Sequence, residues 1–231
     1  MAAPPGRRPS AGRSDWLKLP RRGATYYNDP IVGFLILRNY KEQAMFIQTE
    51  PTPNPATLKF LPGRPVLTSG TLDMRDKEAA AQSPLAERLF EIAGISGVFF
   101  GSDFIAVTKT ASEWQQLKPA ILGVIMEHFM SGAPIVNSAD AAPSGEGEEF
   151  FEAKDSETVA TIKELIEARV RPAVANDGGD ITFRGFKDGV VYLDMKGACS
   201  GCPSSTATLR HGIQNLLRHY LPDVVEVRPM S

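Results

Sequence analysis

The stretch ITFRGFKDGVVYLDMKGACSGCPSS, residues 181–205, decides the fold of the C-terminal part of the chain. Ile181–Phe186 and Val190–Met195 are rich in β-branched and aromatic residues and bracket Lys187, Asp188 and Gly189, the pattern of a β-hairpin. Cys199-Ser200-Gly201-Cys202 follows as a tight, glycine-containing, exposed loop. Pro203 starts a helix, with Ser204 or Ser205 as candidate caps. Its apolar face is Leu209, Ile213, Leu216, Leu217 and Tyr220. Upstream, Val159, Ile162, Ile166 and Val170 mark another helix, with Pro172 bending or ending it. Downstream, Val224–Val227 reads as a final strand. Helix, strand, strand, loop, helix, strand is the order of a small α+β domain over residues 155–231.

Working towards the N-terminus, residues 137–154 are small, Pro/Gly-containing and then acidic (Glu146, Glu148, Glu149, Glu152), the composition of a flexible tether. Residues 45–136 carry a second set of elements. Phe46–Glu50 and Leu58–Leu61 are strand-like, with Pro51, Pro53 and Pro55 between them. Ser83 and Pro84 open a helix that Gly94 ends. Val98–Phe100 and Phe104–Val107 form a hairpin, with Phe99, Phe100 and Phe104 expected in the core. Ser112 and Gln115 suggest a capping box for a helix carrying Trp114, Leu117, Ile121 and Ile125 and ending near Gly132. The expected fold class is therefore α+β: two small α+β domains joined by a flexible acidic linker.

Residues 1–44 differ from the rest, with Arg7, Arg8, Arg13, Arg21 and Arg22 among prolines and little acid. A disordered tail, an organelle-type transit segment, and upstream sequence translated from an early start codon all fit. Met45 opens the first well-patterned segment, which favours the last. The net charge of −2 argues against nucleic-acid binding. No apolar run approaches the roughly 18 residues of a membrane span.

Chemistry concentrates in the two cysteines. A secreted disulfide scaffold uses more of them at wider spacing, so a reducing compartment is expected. Cys199 and Cys202 fall on one loop at a helix start, where free N–H groups favour thiolate over thiol and suit an anionic cluster. An iron–sulfur cluster takes four thiolates and one chain supplies two, so a symmetric dimer completes the set. Zinc held by four thiolates passes the same count. A redox dithiol also starts a helix after a strand, although the preceding hairpin is not a βαβ unit. His211 and His219 read as solvated surface residues and His128 as a partly buried one.

Arg171-Pro172, Asp177-Gly178-Gly179-Asp180 and Gly197-Ala198-Cys199-Ser200-Gly201-Cys202-Pro203-Ser204-Ser205 closely resemble the C-terminal domain of NifU/Nfu iron–sulfur proteins. Met45-Phe46-Ile47-Gln48-Thr49-Glu50, Thr52-Pro53-Asn54-Pro55, Leu58-Lys59-Phe60 and Pro62-Gly63 resemble the N-terminal domain of the Nfu proteins of α-proteobacteria and mitochondria. The resemblance implies a homodimer, paired through the C-terminal domain, that shares a cluster on Cys199 and Cys202. That cluster is expected to be [4Fe–4S], with [2Fe–2S] as the alternative. It implies apo iron–sulfur clients and upstream cluster donors as partners, and a scaffold or carrier rather than an enzyme. The Asp177–Asp180 run has the character of a turn, whose acids bond nearby backbone N–H groups. The expected location is the bacterial cytoplasm, with the mitochondrial matrix as the alternative.

Overall fold

The structure is a computed structural model that describes residues 46–110, 112–137, 149–200 and 203–230. Residues 1–44, most of the expected linker, and Cys202 lie outside the described residues. From Met45 onwards the chain forms one compact unit built from two α+β modules.

The N-terminal module is a five-stranded antiparallel sheet. Its strands are β1 (Gln48–Pro51), β2 (Thr57–Leu61), β3 (Leu72–Met74), β4 (Ile95–Phe100) and β5 (Ile105–Lys109), in the order β1-β2-β5-β4-β3. Helices α1 (Lys77–Ala80), α2 (Pro84–Phe90) and α3 (Trp114–Ser131) accompany it. Period-two alternation sorts the sheet's side chains onto two faces. Leu58, Phe60, Val98, Phe100, Ile105 and Val107 pack with Leu85, Leu89, Ile121 and Ile125 in the main core. The register sets the opposite face: Glu50, Lys59, Ala106, Phe99 and Asp73 stand side by side on successive strands.

Helix α2 starts as expected, with the Ser83 hydroxyl accepting from the Ala86 amide and Pro84 in the first turn. Helix α3 does not have the expected capping box. Its N-cap is Glu113, which makes no side-chain cap bond. Ser112 instead turns toward Gly94, where an added Cβ would meet the Ser112 Oγ at 2.5 Å. The helix ends at Gly132 in the left-handed conformation.

The C-terminal module begins before residue 155. Phe150 pairs with Gly185 at the outer edge of β6 (Gly179–Lys187), donating to the Arg184 carbonyl and accepting from the Phe186 amide. Strand β6 pairs antiparallel with β7 (Val190–Gly197), and β7 pairs parallel with β8 (Glu226–Met230) across helix α6 (Pro203–Tyr220). The β6–β7 turn places Asp188 and Gly189 at φ 50° and 76°, the two positive values of a type I′ hairpin.

The helical run ahead of β6 is not ended by Pro172. Helix α4 (Ser156–Leu165) passes through a π-helical turn (Ile166–Val170) into α5 (Arg171–Asn176). Proline in a regular helix clashes with the carbonyl four residues back and leaves it without a donor; the wider turn just before Pro172 relieves both. Val159, Ile162, Ile166, Val170, Val174, Leu193, Ile213 and Leu217 form this module's core.

Candidate functional site

Cys199 follows the end of β7. Gly197 turns the chain at φ +64°, and Ser200 closes the turn by donating its amide and hydroxyl to the Gly197 carbonyl at 3.2 and 2.9 Å. Thr206, in the first turns of α6, donates its hydroxyl to the Cys199 carbonyl at 2.8 Å. The cysteine is therefore fastened to both elements that flank its loop.

The thiol is buried, with 6% of the residue exposed. It lies against Gly179, the first residue of β6, where an added Cβ would come within 2.9 Å of Sγ and 2.5 Å of the Lys196 carbonyl. Glycine is needed there because sheet and sulfur meet too closely for any side chain. Burial pushes the Cys199 thiol up to about 12, and the negative charges of Asp177 and Asp180 add to the rise. Cys199 departs from the expected exposed thiolate: its side chain is buried although Ser200 beside it is exposed, and desolvation disfavours the charged form. A soft sulfur donor suits iron or zinc, yet in this arrangement Cys199 is a closed-in thiol.

Under the loop, Asp180 receives two bonds from Arg171, Nε to Oδ1 at 2.8 Å and Nη2 to Oδ2 at 2.9 Å. Arg171 also donates to Glu167 at 2.7 Å. These two carboxylates raise the guanidinium pKa further above its ordinary value. Among the described residues Asp180 thus bonds the side chains of Arg171 and Thr71, not the backbone N–H groups expected of the turn. Gly178 does take the positive φ of the turn reading, at +82°.

Two family models match the chain: "Scaffold protein Nfu/NifU N terminal" over residues 47–132 and "NifU-like domain" over residues 162–228. The chain is 52% identical over 183 residues to the human "NFU1 iron-sulfur cluster scaffold homolog, mitochondrial", covering 78% of this chain and 70% of that protein. The chain belongs to the Nfu/NifU family.

The Drosophila sechellia protein of the same name is 50% identical over 187 residues, covering 80% of this chain and 65% of that protein. The Arabidopsis thaliana "NifU-like protein 4, mitochondrial" is 48% identical over 187 residues and covers 80% of this chain and 65% of its own length. All three relatives are named mitochondrial, which supports the matrix alternative and lends nothing to the bacterial cytoplasm.

Within this Nfu/NifU chain, Cys199 is where the hairpin and helix α6 place it, while Cys202 is outside the described residues. His211 and His219 are exposed as expected, whereas His128 is buried rather than partly so. Among the described residues no group of three or more His, Cys, Asp and Glu side chains could hold a metal ion. Sequence reasoning missed the N-terminal residues that reach the cysteine loop. Asn54 Nδ2 donates to the Ala198 carbonyl at 3.4 Å, and Arg75 Nη2 to the Met195 carbonyl at 3.1 Å. Lys59 Nζ donates to the Asn176 carbonyl at 3.2 Å, and Thr71 Oγ1 to Asp180 Oδ2 at 3.0 Å. Only Asn54 and Lys59 lie in the motifs that carry the family likeness, and nothing in their spacing marks them as partners of a loop over a hundred residues away.

Proposed function

We propose that this chain is an iron–sulfur cluster scaffold and carrier. Two copies pair through their C-terminal modules and hold one cluster on the thiolates of Cys199 and Cys202 from each. The observation that carries the reading is Cys199 itself. It is a sulfur donor set between a strand end and a helix start, in a chain about half identical to proteins named cluster scaffolds. Four thiolates suit a [4Fe–4S] cluster, and a [2Fe–2S] cluster satisfies the same count.

Delivery in this reading is ligand exchange. A client thiol gives up its proton to a departing cysteine thiolate of the scaffold as one iron–sulfur bond replaces another. Bonds and protons balance, no net oxidation occurs, and the scaffold is a carrier rather than an enzyme. The partners are apo iron–sulfur proteins and upstream cluster donors. The N-terminal module contacts them. The work takes place in the mitochondrial matrix, and the mitochondrial names of the relatives move the reading of the Arg-rich, acid-poor residues 1–44 from an early start codon to a transit segment. A fluorescent fusion that loses mitochondrial targeting without residues 1–44 supports the last point; unchanged targeting overturns it.

Cys199→Ser and Cys202→Ser test the site. Each substitution removes two of the four shared ligands, so each purified variant is expected to be colourless after anaerobic loading with iron and sulfide. Full cluster content in either variant would overturn the assignment. Roughly half a zinc per chain and no iron in the unsubstituted protein would instead mark a zinc site.

A further inference from the structure

The second face of the N-terminal sheet is not a free surface. Phe99, Phe104 and Ala106 are buried apart from the main core, with Leu61 and with Ala175 of α5 packed against them. An added Cβ at Gly197, two residues before Cys199, would lie 2.9 Å from the Phe99 ring. An added Cβ at Gly178 would lie 3.2 Å from the Thr52 methyl and 3.7 Å from Ala106 Cβ. Lys59, 6% exposed, has its ammonium 4.8 Å from the centre of the Phe104 ring and 3.5 Å from Glu50. The hydrogen bonds from Asn54, Lys59, Thr71 and Arg75 land on Ala198, Asn176, Asp180 and Met195. Met195 and Ala198 lead into Cys199, and Asn176 and Asp180 flank the β6 start that Sγ packs on.

We infer that the N-terminal sheet is an intramolecular cap on the cysteine loop. Docked, it pins residues 195–198 and 176–180 around a buried Cys199. Cluster loading then requires the cap to lift, so that the loop is free to turn its sulfur outward to a second copy. The contact is of a kind that opens. Its apolar part is one small cluster, and its polar part is single hydrogen bonds to backbone carbonyls and one carboxylate, all of which water replaces on separation. An upstream donor or client that binds the Phe99–Ala106–Lys59 face competes directly with the cysteine loop and so couples its own binding to cluster access.

The role in loading rests on the cluster reading above; the capping itself does not, and it is measured without iron. In the full apo chain, thiol alkylation at Cys199 is followed by peptide mapping, which separates it from Cys202. Ala106→Arg places a long charged side chain on the docked face and leaves the main core untouched. It is expected to raise the Cys199 labelling rate about tenfold and to expand the chain in small-angle scattering. Met130→Arg, at a position 73% exposed on the far helix, is expected to change neither. Thr71→Ala with Arg75→Ala removes two of the cross-contacts and serves if the first variant fails to fold; it should act in the same direction by a smaller factor. Unchanged Cys199 labelling in these variants, with native circular dichroism, would overturn the cap. Faster labelling in a protein that takes up no iron would leave the cap standing and remove the cluster reading.

Discussion

Arg171 and Asp180 are joined by two parallel hydrogen bonds of 2.8 and 2.9 Å, and this pair ties the first residue of α5 to the strand on which the Cys199 sulfur rests. Asp180 is buried and Arg171 about one-third exposed, so the fork is partly shielded from water. Planar guanidinium and carboxylate match each other two bonds at a time, which fixes orientation as well as distance. The pair acts as the floor of the cysteine loop.

Asp180→Asn should therefore cost about 2 kcal/mol of stability, because it removes the charge and one acceptor from a fork whose partner stays in place. Arg171→Lys should be milder, keeping the charge but losing the fork. Urea unfolding of the apo protein checks both; a loss below about 0.5 kcal/mol for Asp180→Asn would fall in the range of an ordinary surface change.

Gly179→Ala tests the close approach directly. The new methyl would fall 2.5 Å from the Lys196 carbonyl and 2.9 Å from the Cys199 sulfur. Backbone has little room to yield, so a loss of about 2 kcal/mol and faster Cys199 alkylation are expected. Gly123→Ala is the control, since nothing lies within 4 Å of a Cβ there and the position is mid-helix. It should stabilise by about 0.5–1 kcal/mol.

His128 gives the chain a pH response remote from the cysteines. It is buried on α3, and its Nε2 has no hydrogen-bond partner among the described residues. Burial, then the charge of Arg88, lowers its pKa. The unfolded chain therefore binds a proton below about pH 6.5 that the folded chain refuses. Stability from this group is complete above that pH and falls as pH drops, by at most about 1.4 kcal/mol per pH unit. His128→Gln should flatten the fall in urea midpoint between pH 7 and 5; an identical slope in both proteins would exclude His128 as its source.

Much of this was readable in the sequence where local chemistry decides. Asp188-Gly189 specifies its own turn, Ser83-Pro84 its own helix start, and the Cys199–Pro203 segment its place between hairpin and helix. What the sequence did not reveal depends on residues far away. Strand β3 has three residues and helix α1 four, too few to show a period. Phe99 and Phe100 are adjacent and equally apolar, yet they serve opposite faces, and only the register shows that Phe99 leaves the main core. Cys199 lies in a glycine-rich loop of exposed character, yet its side chain is buried with the core of its own module and against Gly179.

Phe150 refines where the second module starts. Its backbone extends the β6 edge and its ring lies over Gly185, 5.2 Å from the Tyr192 ring. A fragment of residues 149–231 should therefore be more stable than one of 155–231, by about 1–2 kcal/mol for two backbone hydrogen bonds and one aromatic contact. Both should bind the cluster if the site is wholly C-terminal. Thermal melts and iron content separate the two statements, and a cluster-free 149–231 fragment would mean that the N-terminal module supplies part of the site.

The most direct test of the central claim is anaerobic loading of the full chain with iron and sulfide, with metal and sulfide counted per chain and size measured in the same sample. A shared [4Fe–4S] cluster predicts about two irons and two sulfides per chain in a brown dimer, and a shared [2Fe–2S] cluster about one of each. A monomer that stays colourless and binds no iron would contradict it.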